Sequence, residues 1–109
     1  MYKISYLPTA RQDIFSIITY ISEFLKADKA ALDLLDEFDH AIALLKDFPY
    51  AHPVYRAVKS LEAEYRLLPV KNYAVFYVVQ EREKQVEIRR ILYAKMDLDK
   101  IINREATES

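Results

Sequence analysis

The chain has 109 residues, 52% of them apolar and 30% charged, with a formal net charge of −1; this is the profile of one folded domain and excludes a disordered chain or a strongly basic nucleic-acid binder. It contains no cysteine and no glycine, which excludes disulfides, thiolate catalysis, cysteine-ligated metals and every phosphate-cradling loop that depends on glycine. No apolar run approaches the roughly 20 residues a membrane helix needs, and the opening MYKISYLPTARQD has no signal-peptide core, so no membrane association is expected and the expected location is the cytoplasm.

Charge is unevenly spread. Residues 1–54 carry five basic and eight acidic side chains, and residues 55–109 carry eleven and nine. The second half is therefore weakly basic, which is less than broad phosphate binding requires.

In chain order, residues 2–7 (YKISYL) alternate as a strand does, and Pro8 stops them. Thr9 is expected to cap a helix beginning at Ala10 or Arg11, with Asp13 in its first turn, where the dipole favours an anion. Ile14, Ile17, Ile18, Ile21 and Leu25 recur at helical spacing. A break at 26–28 follows, with Asp28 as a second candidate cap. Ala31, Leu34, Leu35, Phe38, Ile42 and Leu45 mark one face of a second helix that ends before Pro49. Two such helices joined by a short break make an αα-hairpin. Residues 49–64 carry two prolines and no clean period, and read as a loop with room for a short strand or turn.

Strands are expected at 65–70, 73–80 and 85–93. The middle one alternates Tyr73, Val75, Tyr77 and Val79 with Ala74, Phe76 and Val78, aromatic and β-branched residues suited to a sheet. The segment carries Arg66, Lys71, Arg89, Arg90, Tyr93 and Lys95, so a polar, partly basic sheet surface is expected. After Asp97, LDKII can form a short terminal helix, and residues from about 104 to 109 read as a frayed tail. The order β-α-α-β-β-β predicts an α+β fold over residues 1–109, with an amino-terminal strand and a three-stranded antiparallel meander completing a four-stranded sheet, and with the helices collected on one face.

Taken together, YKISYLPTARQDIFSIITYI with Asp13 and Tyr20, the closing Leu45 and Pro49, NYAVFYVV at 72–79 and VEIRRILYAKMD at 86–97 resemble the RelE/ParE superfamily, the toxins of type II toxin–antitoxin modules. The resemblance covers residues 2 to about 103. It implies a small toxin, held inactive by a co-expressed cognate antitoxin, that either cleaves mRNA on the ribosome or inhibits DNA gyrase; fold alone does not choose between these.

The departures bear on that choice. Nuclease-type members usually place an arginine after the Asn-Tyr of the third strand, where this chain has Ala74. Members often read Gly-Arg-Arg-Asp near the end of the fourth strand, where this chain has Ala94, Lys95, Met96 and Asp97. The basic pair of the second strand is reduced to Arg66, with Leu68 in place of the second cation. Alanine and methionine cannot stabilise the extra charge of phosphoryl transfer.

The candidates left for catalysis are Arg66, Tyr93 and Lys95, with Tyr73 and Arg90 as binding residues. Each has a plainer role: Tyr93 packing on the terminal helix, Arg90 paired with Glu64 or Glu87, Arg66 structural, and Lys95 solvated. His40 lacks the convergent ligands of a metal site, and His52 reads as a loop histidine. Asp33, Asp36, Glu37 and Asp39 form a solvated helix face. No cofactor or metal is expected. Three functions follow: a toxin that binds a target such as DNA gyrase, a ribosome-dependent mRNA endonuclease, or a degenerate member that keeps only antitoxin binding. The absent cations at 74 and 96 and the isoelectric point of about 6.1 favour the first and third, which are not enzymes.

Overall fold

The structure, a computed structural model, describes residues 1–58 and 63–108. Its elements are β1 (Lys3–Tyr6), α1 (Pro8–Thr19), a π-helical turn (Tyr20–Phe24), α2 (Asp28–Ala43) with a closing 3₁₀ turn (Leu44–Lys46), β2 (Tyr65–Val70), β3 (Tyr73–Gln80), β4 (Gln85–Tyr93) and α3 (Leu98–Glu108). The sheet order is β1-β4-β3-β2. β2, β3 and β4 form the expected antiparallel meander, and β1 joins β4 in parallel. The fold is α+β.

α1 begins two to three residues earlier than expected, at Pro8. Proline is pre-set for the first helical position, and the amide it lacks would have had no partner there. Thr9 is therefore inside the helix and caps nothing. Leu7 takes the cap position, and Asp13 falls outside the first turn. Asp28 likewise opens α2 without capping it; its carboxylate accepts the Ser22 hydroxyl at 2.6 Å. Between the helices, Leu25 N–H reaches back five residues to the Tyr20 carbonyl at 3.0 Å. One extra residue in a turn slips the apolar phase by about 100°, so Leu25 leaves the stripe it was expected to continue and is exposed.

The helix pair buries Phe38, Ile42, Leu45 and Ala10 against Leu68, Val70, Val75, Tyr77, Val86, Ile88 and Ile91, with Ile14, Ile17, Ile18 and Ile21 half-buried around them. The opposite face is not left to solvent, as a one-sided arrangement would leave it. There Tyr65, Ala74, Phe76, Val78 and Leu92 pack with Ile102 of α3, flanked by Tyr55, Leu67, Leu98 and Ala106. This explains why β3 is apolar at both parities: both of its faces are buried.

α3 also outruns LDKII and continues to Glu108. Asp97 Oδ1 accepts the Lys100 N–H at 3.3 Å at its start, Asn103 Nδ2 donates to the Ala57 carbonyl at 2.9 Å, and Tyr65 donates its hydroxyl to Glu105 at 3.0 Å. Asn103 and Glu105 are therefore held by polar contacts that an apolar periodicity does not record. In the loop expected over 49–64, Val54 makes a single bridge to Arg66, and residues 59–62 lie outside the described residues. Among the described residues, no helix is long and apolar enough to cross a membrane, and no group of three or more His, Asp or Glu could hold a metal ion.

Candidate functional site

The register within the sheet decides which candidates can act together. Phe76 pairs with Arg90 and Tyr77 with Ile88, so β4 carries one extra residue at Arg89. This β-bulge turns Ile88 and Ile91 both toward the helix pair and leaves Arg89 and Arg90 between them on the other side. β1 ends at Tyr6, opposite Ile88, so the rest of β4 has no strand beside it on that edge. Asp13 fills the gap. Its carboxylate accepts the Ile91 N–H at 2.9 Å, Arg90 Nε at 2.7 Å and Arg90 Nη2 at 3.0 Å.

Arg90 thus pairs with neither Glu64 nor Glu87. Those carboxylates take other arginines, Glu64 at 3.1 Å from Arg66 Nη2 and Glu87 at 2.6 Å from Arg89 Nε. The second of these is a charge contact whose N–H is not aligned for a hydrogen bond. The hydrogen bonds to Asp13 raise the Arg90 pKa further, against the opposing effect of burial.

Arg66 is immobilised. Nη1 donates to the His52 carbonyl at 2.7 Å, Nη2 to Glu64, and the guanidinium lies 4.9 Å from the centre of the Tyr50 ring. It ties the loop around residue 52 to the start of β2. Burial holds the His52 imidazole below its usual pKa, so it stays neutral near pH 7. Lys71 lies 3.8 Å from Glu37. Of the cations expected to make the sheet surface basic, Arg66, Lys71, Arg89 and Arg90 each meet a carboxylate.

Tyr93 does not pack on the terminal helix. It stands opposite Tyr73, edge-on to it with ring centres 5.8 Å apart, while Tyr73 meets Phe38 edge-on at 5.7 Å. With Ser16, Ile17 and Tyr20 the two phenols line an open cleft of about 500 Å³. Tyr20 stacks on Phe24 at 5.1 Å, and these rings are 53% and 74% exposed, with Tyr93 41% exposed. Burial, with smaller contributions from Tyr93 and Tyr20, raises the Tyr73 phenol above its usual pKa, so it keeps its proton near pH 7.

The expected catalytic set is dispersed. Arg66 is paired with Tyr77 of β3, and Tyr93 with Tyr73. Four residues of strand separate them, about 13 Å, and they flank β3 on opposite sides, another two strand spacings of about 4.8 Å each. The Arg66 side chain is held instead at the loop around His52. Lys95 is exposed on the loop after β4 and meets no carboxylate among the described residues. His40 Nδ1 donates to the Asp36 carbonyl at 2.9 Å, one turn back on α2.

Tyr73 and Tyr93 are the candidates brought together, and their neighbours were the ones missed. Tyr20, which lines the cleft, and Phe24, which stacks on it, lie off the isoleucine stripe of the first helix. Large aromatic residues on the solvent side of an amphipathic helix were the available signal.

No curated protein matches the chain in sequence. Among solved structures it is similar in fold to a chain of the chromosomal ParDE TA system from P. aeruginosa, with a TM-score of 0.69 and 16% identity, covering 87% of this chain and 98% of that one. In sequence, a family profile described as the ParE toxin of the type II toxin–antitoxin system parDE matches residues 4–98, a span that runs from β1 through all four strands and both helices of the hairpin. The chain belongs to the ParE toxin family.

Proposed function

We propose that this protein inhibits growth by binding a target protein, with DNA gyrase the leading target, and that a cognate antitoxin neutralises it. One observation carries the choice of binding over RNA cleavage. Arg66, Arg89 and Arg90, the sheet arginines available to stabilise a phosphorane-like state, each already face a carboxylate, and the nearest candidate acid, Tyr93, stands far from Arg66. Charge stabilisation is the largest contribution such a reaction draws on, and a neutralised guanidinium supplies little of it. The exposed rings of Tyr20, Phe24 and Tyr93 around the open cleft have the composition of a protein-binding surface, where aromatic anchors dominate.

Occupation of that same cleft by an antitoxin would explain neutralisation. A flexible tail that orders as it covers apolar surface suits a partner of this kind. The reading predicts co-purification with the small product of an adjacent gene.

The test is induction without antitoxin, with supercoiling by purified gyrase and sequencing of cellular transcripts measured side by side. Inhibited supercoiling with intact transcripts is the expected result, and Tyr20→Ala with Tyr93→Ala should weaken the inhibition at least tenfold (about 1.4 kcal/mol). Codon-positioned cuts that disappear in Arg66→Ala, with supercoiling untouched, would establish a ribosome-dependent nuclease instead.

A further inference from the structure

At the other end of α1 from Tyr20, a second cleft of about 370 Å³ opens between the start of α1, the end of β4 and one face of α3, lined by Thr9, Arg90, Lys100, Ile101, Arg104 and Glu105. Half of that lining is cationic in a chain whose net charge is −1. Lys100 and Arg104 are four residues apart on α3 and so share a face. Neither meets a carboxylate among the described residues. Glu105, the acidic member, accepts the Tyr65 hydroxyl and its charge acts on Arg90, which leaves the cations of the lining in excess.

Arg90 differs from the two surface cations because it is fixed. Asp13 holds its Nε and Nη2 edge, and Nη1 makes no hydrogen bond to the described residues. A guanidinium clamped along one edge presents its remaining N–H groups in a set place, so little ordering is left for a ligand to impose. Thr9 adds a hydroxyl beside the amino end of α1, which no side chain caps and whose partial positive charge favours an anion. Lys100 and Arg104 lie beyond the residues 4–98 that match the family, so the likeness to ParE toxins does not account for them.

We propose that this cleft binds the phosphate monoester of a small phosphorylated metabolite, with the phosphate between Arg90, Lys100, Arg104 and Thr9 and the organic part against Ile101. Lys100 and Arg104 supply the uncompensated positive charge, and Arg90, its own charge met by Asp13, supplies N–H donors fixed in place; together they suit a dianion with three acceptor oxygens better than a carboxylate. The volume is at the small end for ligand pockets, enough for a phosphate and a compact organic group. A nucleic-acid strand would need a longer basic groove.

The experiment is titration of the full chain with inorganic phosphate, ribose 5-phosphate and ribose, following the amide resonances of Thr9, Ala10 and Ile101. Saturable shifts are expected with both phosphates, with ribose 5-phosphate the tighter, and none with ribose. Lys100→Gln and Arg104→Gln should each weaken binding about three- to tenfold, Lys3→Gln should leave it unchanged, and added sodium chloride should weaken it. Three results would each overturn the proposal: shifts reproduced by sodium chloride at matched ionic strength, undiminished binding in the Lys100→Gln/Arg104→Gln double variant, or tighter binding of an oligonucleotide without a terminal phosphate than of ribose 5-phosphate.

Discussion

Asp13 ties α1 to the open edge of β4, because three donors of β4 depend on its one part-buried carboxylate. Its side chain is 14% exposed and that of Arg90 23%, so water replaces little of what is lost when it is removed. Asp13→Ala strands a half-buried guanidinium and the Ile91 N–H together, and should lower unfolding stability by about 2–3 kcal/mol in urea titrations. Glu64→Ala removes a carboxylate that is 64% exposed from Arg66, which keeps its bond to the His52 carbonyl. That change should stay below about 0.5 kcal/mol. Equal losses in the two variants would mean that the β4 edge does not need Asp13. The contrast shows what a sequence does and does not display about charge. Asp13 stands out as an acidic residue near a helix start, but its partner is 77 positions away, and only the β-bulge at Arg89 brings the two together.

At the scale of elements, β2, β3 and β4 were legible to the residue, since their runs of aromatic and β-branched side chains end in polar turns. The helix faces were legible too, through Ala31, Leu34, Phe38, Ile42 and Leu45. What escaped was anything set by hydrogen bonding instead of apolar spacing: the π-helical turn, the bulge, the start of α1, and α3 beyond Ile102. The absence of glycine also has its effect here. Lys26, Lys71 and Lys84 all adopt left-handed φ near 55°, a conformation costing a residue with a Cβ about 1 kcal/mol relative to glycine. Lys26 follows the π-helical turn, and its side chain makes no ion pair among the described residues. Lys26→Gly should therefore raise stability by about 0.5–1 kcal/mol, roughly 2–8 °C in Tm for a domain of this size, and Lys26→Val should lower it. A drop in Tm for the glycine variant would show that residue 26 is not strained.

Across the whole molecule, the tyrosines link stability to alkaline pH. Burial is the first cause that raises the phenols of Tyr6, Tyr55, Tyr73 and Tyr77 above their ordinary value of 10.0. Tyr55 is pushed up to about 12, by burial first and then by its hydrogen bond to Asp99. The direction of the linkage follows. Between pH 10 and the folded-state values, the unfolded chain has released phenolic protons that the folded chain still holds. The contribution is therefore fully present below pH 10 and is lost as pH rises toward 12. Tyr55 and Tyr77 sit on opposite faces of the sheet, so ionisation loosens both layers and the loss should appear as one cooperative transition. Urea midpoints at pH 8, 10 and 11, read beside tyrosinate absorbance at 295 nm, are expected to fall together with the appearance of tyrosinate. Tyr55→Phe keeps its ring edge-on to Phe76 and loses only the hydroxyl, so it should be less stable than the parent at pH 8 and should lose less stability between pH 10 and 11. A variant that keeps the parent's full alkaline slope would remove Tyr55 as its source and leave the remaining buried phenols to supply it.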